Sequence, residues 1–465
     1  MTATPWERFD YGPWDDTAVV PQSPPDEATR RAKDLPPTLL PVAGEGVVQR
    51  AAYDPAVKHH MRGMRLTEPQ FASARTGEAW LSARRRALDL VLAAVAGSGW
   101  ADHLVLRGSV LLKAWYGDAA REPGDLDFVV VPSTWALEDE RTDALLDDIA
   151  RAAEDLSRAG GGVLIDASGA VSGEIWTYDR VPGRRLVLPW TAPADGPDAL
   201  PSGSVQLDFV FNETLPAPSV RTGIPRHDGG EPTVLTTAGP ELSLAWKLLW
   251  LMTDMHPEAK DLYDAVLLAE NCRLPYELLR RVLVTSEEYR EGSEFDLVQV
   301  LEAASYVDWP EFRKDHPAFP VSEAACTTRL AVALAPVFPP AEEKLYARLA
   351  AAYASTTDTL REKHGNGGMA AVETWFCSRR LHSIEALIAV RGLLGGEECT
   401  WHAAADLLAS FRYPDRNPGR EQSGPFTGEW GGTPHLVAAW LEAAEAAEAA
   451  EAGEPAEAGE ADGAS

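Results

Sequence analysis

Two aspartates separated by one residue indicate a metal-dependent reaction on phosphate groups. Asp125 and Asp127 lead into the β-branched run of residues 129–131. Side chains alternate along a strand, so both carboxylates are predicted to point to one face. An Asp-x-Asp pair also occurs on solvated strands, but this run is too apolar to face water on both sides. Carboxylate oxygens on one face suit Mg²⁺, so the pair predicts a metal site.

A third acid strengthens this interpretation. Asp208 lies at the centre of the strand-like run of residues 204–211, with hydrophobic residues on either side. Burying a carboxylate without a partner is costly, and a bound cation is the simplest remedy. Asp125, Asp127 and Asp208 are therefore predicted metal ligands, in the arrangement that two-metal phosphoryl chemistry needs.

A turn just before the acids is suited to binding phosphate. The apolar run of residues 104–106 ends at Gly108 and Ser109, and a helix-competent run over residues 110–116 follows. Backbone N–H groups and the Ser109 hydroxyl at a helix N-terminus attract anions. The chain has no G-x-x-x-x-G-K-[ST] sequence, which excludes a P-loop NTPase. The turn and the acids together predict nucleotidyl transfer from an NTP.

A lysine in the second half of the chain is a further candidate. Lys247 stands in an otherwise apolar helical run over residues 241–252, in a chain with only 8 lysines against 34 arginines. Such a lysine either extends to the surface or points at a buried anion. Asp261, in the sequence Lys260-Asp-Leu-Tyr-Asp264, is either a helix-start acid favoured in the first turn or a residue of the same pocket.

The pattern of elements around these residues predicts an α+β fold. Strand-like runs cover residues 162–166, 174–178 and 185–188, and helical spacing begins near Glu78 and recurs over residues 142–159. After Gly239 the pattern is helical. The predicted helices there cover residues 241–252, 259–270, 275–286, 322–336, 340–355, 370–393 and 401–410. We expect a small mixed β-sheet nucleotidyltransferase core with a mostly helical C-terminal half.

Composition along the chain predicts four parts. Residues 1–70 form a Pro-rich extended segment that is expected to pack poorly, residues 71–238 the nucleotidyltransferase core, and residues 239–440 a helical domain completing the site. Residues 441–465 carry eight acids and no base, and they are expected to form a disordered tail that is dispensable for chemistry.

The charge and the cysteines limit the classes of function. A formal net charge of −29 argues against a surface that coats nucleic acid, so any RNA contact must be local. Removing the eight acids of the tail leaves −29 + 8 = −21, which is still strongly acidic. No window is apolar enough for a membrane span, no signal-peptide pattern begins the chain, and the four cysteines are scattered. These features favour a cytoplasmic protein without a membrane partner.

Five short motifs, in order, resemble those of the AbiEii nucleotidyltransferase toxins of bacterial toxin–antitoxin and abortive-infection systems. They are Arg107-Gly-Ser-Val-Leu-Leu-Lys113, Arg121-x-x-x-Asp-Leu-Asp-Phe128, Leu207-Asp-Phe209, Glu241-x5-Lys247 and Lys260-Asp-Leu-Tyr-Asp264. The resemblance covers roughly residues 80–280. It implies a fold similar to DNA polymerase β-type nucleotidyltransferases, transfer of nucleotides from an NTP to the 3′ end of tRNA, and restraint by an antitoxin encoded nearby.

The resemblance also implies roles for individual residues. By position in the motifs, the contacts to the nucleotide would come from Gly108, Ser109, Lys113, Arg121 and Lys247. Asp125 and Asp127 would hold Mg²⁺ with Asp208 as the third carboxylate, and Asp261 would complete the catalytic set. Two alternatives stay open. The chain could transfer a nucleotide to a small molecule or to a protein hydroxyl, because an acidic surface favours a basic acceptor, or it could be an NTP-binding module without turnover.

Overall fold

The fold is described from a computed structural model. The structure describes residues 4–9, 11–12, 14–15, 17–57, 59–160, 162–177, 181–192, 199–286, 288–289, 295–304, 306–316, 323–338, 344–379, 381–412 and 433–453. The chain divides into two compact units. The first consists of Met1–Ser293 with Tyr306–Phe319, and the second of Glu294–Ser305 with Pro320–Ser465.

The N-terminal segment packs more closely than its proline content predicts. It contains the short helices α1 (Pro5–Arg8) and α2 (Glu27–Ala32) and the strands β1 (Val47–Val48), β2 (Ala51–Tyr53), β3 (Met64–Leu66) and β4 (Gln70–Phe71). β2 pairs with β3, and β1 with β4, both antiparallel. The prediction of an extended, poorly packed segment is wrong here, because large apolar side chains such as Trp6, Leu35 and Met64 bury together in a small core of their own.

An eight-stranded mixed sheet is the centre of the first unit. Its strands are β5 (Leu104–Arg107), β6 (Leu126–Val130), β7 (Leu164–Ile165), β8 (Val171–Thr177), β9 (Val181–Thr191), β10 (Gly203–Val210), β11 (Val220–Ile224) and β12 (Thr233–Thr237). The strand order is β11-β12-β5-β6-β10-β9-β7, and β8 also pairs with β9. β10 runs parallel to β6, whereas β5 and β9 run antiparallel to their inner neighbours.

One face of this sheet is apolar and contributes to a large hydrophobic core. The core includes residues of α3 (Ala74–Gly97) and α5 (Glu140–Gly160). Phe128 and Phe209 of the two central strands belong to it. Because side chains alternate along a strand, their neighbours Asp127 and Asp208 lie on the opposite face. α4 (Ser109–Tyr116) follows directly after β5.

The later helices follow the sequence pattern in most places. The first unit contains α6 (Pro240–Thr253), α7 (Ala259–Asn271), α8 (Tyr276–Leu283) and α10 (Trp309–Asp315). The second contains α9 (Leu297–Ala304), α11 (Glu323–Leu334), α12 (Leu345–Ala352), α13 (Ala354–Cys377), α14 (Ser383–Leu393), α15 (Trp401–Ser410) and α16 (Thr433–Gly453). α9 and α10 were not predicted, and the predicted helix 370–393 is divided into α13 and α14. Within the described residues, no helix is both long and apolar enough to cross a membrane.

The α+β class is confirmed, whereas the predicted disorder of the acidic tail is wrong over residues 441–453. These residues continue α16. Leu441 is 1% exposed, and the Glu445 carboxylate accepts hydrogen bonds from Arg391 Nη1 and Trp401 Nε1 at 2.6 and 2.8 Å. The reason is that the first turns beyond Trp440 still face packed partners of the second unit. Residues 454–465 of the tail lie outside the described residues.

Candidate active site

Four charged residues form a row across the polar face of the sheet. In the strand register, Arg107 of β5 pairs with Asp127 of β6, Asp127 pairs with Asp208 of β10, and Asp208 pairs with Arg185 of β9. Asp127, Asp208 and Arg185 are each followed in the chain by a residue of the apolar core, and Arg107 is followed by Gly108. The row therefore alternates in charge as cation, acid, acid and cation, with the two acids adjacent at its centre.

The predicted acids come together. Asp125, which directly precedes β6, Asp127 and Asp208 each offer one carboxylate oxygen, and these three atoms lie within 4.8 Å of one another. Burial and the neighbouring charges of Asp125 and Asp208 raise the pKa of Asp127 to about 8. Carboxylates this close resist simultaneous ionisation. The donors are all carboxylate oxygens, which Mg²⁺ prefers, so the residues present fit a divalent cation.

The predicted Gly-Ser turn packs directly against the acids. Gly108 has a φ of +87°, and a Cβ on it would lie 2.4 Å from Asp127 Oδ2. A side chain at this position is therefore excluded twice, by the left-handed backbone and by the carboxylate. Ser109 begins α4 and is 2% exposed, and its Oγ has no hydrogen-bond partner among the described residues. This hydroxyl is free to meet a ligand beside the acids.

Asp208 is held by an arginine that the sequence did not indicate. Arg185 donates from Nε and Nη2 to the two Asp208 oxygens, each at 2.9 Å, and from Nη1 to Asp54 Oδ2 at 2.8 Å. Burial raises the pKa of Asp208 although Arg185 acts in the opposite direction. For Asp54 the balance is reversed, since the attraction of Arg185 outweighs burial and lowers its pKa.

Lys247 and Asp261 also come together, in a second charged cluster. Lys247 is 4% exposed, and its Nζ lies 2.6 Å from Asp261 Oδ1 and 3.0 Å from Asp264 Oδ2. Arg121 donates to both oxygens of Asp264 at 3.1 and 2.9 Å. The lysine therefore does not extend to the surface. It points at buried anions, and these anions are carboxylates of the chain itself.

A cavity of about 300 Å³ opens beside the acids. Asp125 lines it together with four cationic side chains, those of Arg65, Arg121, Arg185 and Lys260. Lys260 pairs with Glu258 at 2.9 Å. Burial alone would lower the pKa of Lys260, but Glu258 and Asp125 outweigh it and raise the pKa, so this amine stays charged.

The remaining predicted residue, Lys113, lies elsewhere. Its Nζ pairs with Glu122 at 2.8 Å and with Asp118 at 3.5 Å, and it lines a separate cavity with Arg85 and Arg226. No described contact connects it to the acids.

The structure adds three residues that sequence reasoning missed, Lys260, Arg185 and Asp54. Lys260 stands in a motif that the sequence did single out, beside Asp261. Arg185 begins a predicted strand run, and its opposition to Asp208 depends on strand register, which the sequence does not reveal. Asp54 directly follows β2, the first strand of a two-stranded hairpin, in a segment expected to be extended, so nothing in the sequence pointed to it.

A mixed sheet that presents three acids beside a Gly-Ser turn, next to a cavity lined by both acidic and basic side chains, is the arrangement expected of a nucleotidyltransferase. A family model described as "Nucleotidyl transferase AbiEii toxin, Type IV TA system" matches residues 90–349. The chain belongs to this family. The match continues past residue 280, where the resemblance in the motifs ended. Membership implies an NTP substrate and an antitoxin partner. Comparison with curated proteins and with solved structures gives no significant match.

Proposed function

We propose that this nucleotidyltransferase moves a nucleoside monophosphate from an NTP to the 3′ end of an RNA, with tRNA as the acceptor, in a Mg²⁺-dependent reaction. The observation that carries the proposal is the set of three carboxylates, Asp125, Asp127 and Asp208, whose ligand atoms lie within 4.8 Å of one another, beside a cavity into which basic side chains also project. Mg²⁺ held by these acids would neutralise charge on the triphosphate and activate the acceptor hydroxyl.

The triphosphate is proposed to lie between the Gly108-Ser109 turn and the cationic wall of the cavity. The turn offers helix N–H groups and the unpartnered Ser109 hydroxyl. The wall offers Lys260 and Arg121, which line the cavity with Asp125. Fixed cations around the phosphates stabilise the charge that moves during transfer without reorganising.

Lys247 is proposed to act by holding other residues. Its Nζ is already occupied by Asp261 and Asp264, and Asp264 in turn holds Arg121. A direct contact of Lys247 with phosphate would separate it from these carboxylates, whereas Lys260 reaches the cavity without doing so. We therefore assign the lysine contact to phosphate to Lys260, and the orientation of Arg121 to Lys247 through Asp264.

Asp208 is proposed to be the third metal ligand or the base that takes the proton of the acceptor hydroxyl. Arg185 fixes both of its oxygens at 2.9 Å, so its carboxylate plane is set before substrate arrives. A group held in this way loses little freedom on reaching the reactive geometry.

The charge of the chain limits which acceptors fit. A net charge of −29 disfavours binding of RNA over a large area of the protein surface. A single-stranded 3′ end, however, needs to contact only the cavity. The same charge favours a basic protein as the alternative acceptor. The intact set of acids argues against an NTP-binding module without turnover.

One experiment separates these functions. The purified protein is incubated with each α-labelled NTP and Mg²⁺, in turn with total RNA, with cell protein and with small-molecule extract. We expect label in RNA of tRNA size, and none when Asp127→Asn replaces the wild-type chain. Label in protein or in small molecules would show that the acceptor is not RNA. NTP binding without any labelled product would contradict a catalytic function.

A further inference from the structure

We infer that Asp54 is a positioning residue of the metal site, which acts through Arg185 on Asp208 and so makes the N-terminal segment part of the active centre. The inference rests on the metal-dependent transfer proposed above. Asp54 lies before the residues that the family model matches, 90–349, so this contribution comes from outside the family's common part.

The geometry of the guanidinium group carries the inference. Arg185 uses Nε and Nη2 for the two oxygens of Asp208 and Nη1 for Asp54, at 2.8–2.9 Å throughout. All three residues are buried. A planar guanidinium held at three of its donors cannot rotate or withdraw without breaking charged hydrogen bonds away from water. Asp54 therefore fixes the far end of the group that fixes Asp208.

Asp54 is itself held in place by local backbone. Its Oδ1 accepts a hydrogen bond from the Ala56 N–H at 2.9 Å, and its own N–H donates to the Gly63 carbonyl at 2.8 Å. It directly follows β2, which pairs with β3. Arg65 of β3 pairs with Asp315 at 2.5 Å. The hairpin is thus attached to the same unit at a second point.

The charge balance explains why such a residue is needed. Arg185 places a full positive charge beside Asp208, where it would weaken the attraction of the acids for a metal cation. Asp54 offsets that charge from the side away from Asp208 and keeps the guanidinium from turning further over it. Outer residues that orient a metal ligand typically change metal affinity by roughly 10–100-fold when they are replaced.

The test compares Asp54→Asn with a matched control, Asp34→Asn. Asp34 is another aspartate of the N-terminal segment that accepts a backbone hydrogen bond, from the Met61 N–H at 2.8 Å, but it does not line the cavity beside the acids. Binding of Mn²⁺ alone is measured on the full chain by the loss of its free electron paramagnetic resonance signal, and transfer is measured separately. We expect about tenfold weaker Mn²⁺ binding and slower transfer for Asp54→Asn, and wild-type values for Asp34→Asn.

A double-variant cycle asks whether Asp54 acts through Arg185. In an Arg185→Gln background, Asp54→Asn should change Mn²⁺ affinity by less than about twofold, since the group that transmits its effect is gone. An equal effect in both backgrounds would overturn the inference. If Arg185→Gln does not fold, Arg185→Lys replaces it, because one ammonium cannot bind both carboxylates in this geometry. Wild-type affinity in Arg185→Lys and Asp54→Asn would equally overturn it. If the wild-type chain itself binds no Mn²⁺, the proposed metal-dependent function is contradicted, and the inference about Asp54 is contradicted with it.

Discussion

Asp127 lies directly opposite Asp208 in the parallel pairing of β6 and β10. Two acids in adjacent register on neighbouring strands repel each other when both are ionised. The structure flanks them with Arg107 on one side and Arg185 on the other. In the metal-free protein, the two arginines therefore offset the repulsion between the central acids, and a cation bound between the acids would remove it.

Replacing either member of the Asp-x-Asp pair should abolish transfer without unfolding the chain. Asp125→Asn and Asp127→Asn each remove a proposed metal ligand while keeping the shape of the side chain, so we expect a loss of about 100-fold or more in turnover. The control is Asp155→Asn on the exposed surface of α5. Circular dichroism and turnover are measured together, and a variant with more than a tenth of wild-type turnover would exclude its residue as a ligand.

The stability of the metal-free protein should fall as the pH rises toward the pKa of Asp127. This pKa is raised from 3.8 to about 8 in the folded protein. Between these values the folded state binds a proton that the unfolded state has released, so the contribution is complete below about pH 4 and lost as the pH rises through about 8. Urea unfolding with a chelator present, from pH 5 to pH 9, measures it. Asp127→Asn should lack this part of the pH dependence, and identical curves for both proteins would contradict the assignment.

Gly108→Ala should lose activity through a steric contact with Asp127. Its Cβ would lie 2.4 Å from Asp127 Oδ2, at a φ of +87°. The matched control is Gly117→Ala, which has a φ of +57° but no atom within 4 Å of the new Cβ. Both variants carry backbone strain, which costs about 1 kcal/mol or more, but only Gly108→Ala should also lose Mn²⁺ binding and transfer. Equal losses in both variants would assign the effect to strain.

Lys247→Met should act mainly on stability, whereas Lys260→Met should act mainly on NTP binding. Removing the buried Lys247 amine leaves Asp261 and Asp264 without a cation they now contact, which should cost about 3–5 kcal/mol of unfolding free energy. Lys260 is partly exposed and paired only with Glu258 in the described contacts, so its replacement should cost much less but weaken NTP binding. Urea unfolding and calorimetric NTP titration measure the two quantities. A Lys247→Met protein of wild-type stability would contradict the buried cluster.

Two truncations divide the acidic tail. Ending the chain after Gly453 removes only residues beyond α16 and should leave folding and turnover unchanged. Ending it after Trp440 also removes Leu441 and Glu445, which leaves Arg391 without its carboxylate and opens a cavity. We expect that cut to lower the stability of the second unit by roughly 2–5 kcal/mol, measured by urea unfolding. Equal stability of the two truncated proteins would show that the helical part of the tail contributes nothing.

The parts of the site that depend on local sequence could be predicted. The strand period of two placed Asp125 and Asp127 on one face, the apolar run around Asp208 indicated a buried third acid, and apolar runs located most helices after Gly239. The contacts that depend on register or on distant segments could not. Arg185 meets Asp208 only because β9 and β10 pair in one particular register, and Asp54 meets Arg185 across 131 positions of sequence.

Which charged residues pair with each other could also not be predicted from the sequence. From its place in an apolar helix, Lys247 could have extended to the surface or pointed at a buried anion, and the sequence did not decide between the two. Only the three-dimensional structure shows that Asp261 and Asp264 lie within 3.0 Å of its Nζ. Packing also explains the N-terminal segment, where buried apolar side chains such as Trp6, Leu35 and Met64 hold the chain together despite its high proline content.

The stacking of Phe128 on Phe209, with ring centroids 5.6 Å apart and an interplanar angle of 15°, lies on the reverse side of the strands that bear Asp127 and Asp208. Each ring neighbours its aspartate in the chain, and the pairing of β6 with β10 sets both the spacing between the two rings and the spacing between the two aspartates. The two carboxylates and the hydrophobic core consequently cannot move independently of each other. A core substitution that moves β6 relative to β10 would therefore also change the distance between the two acids.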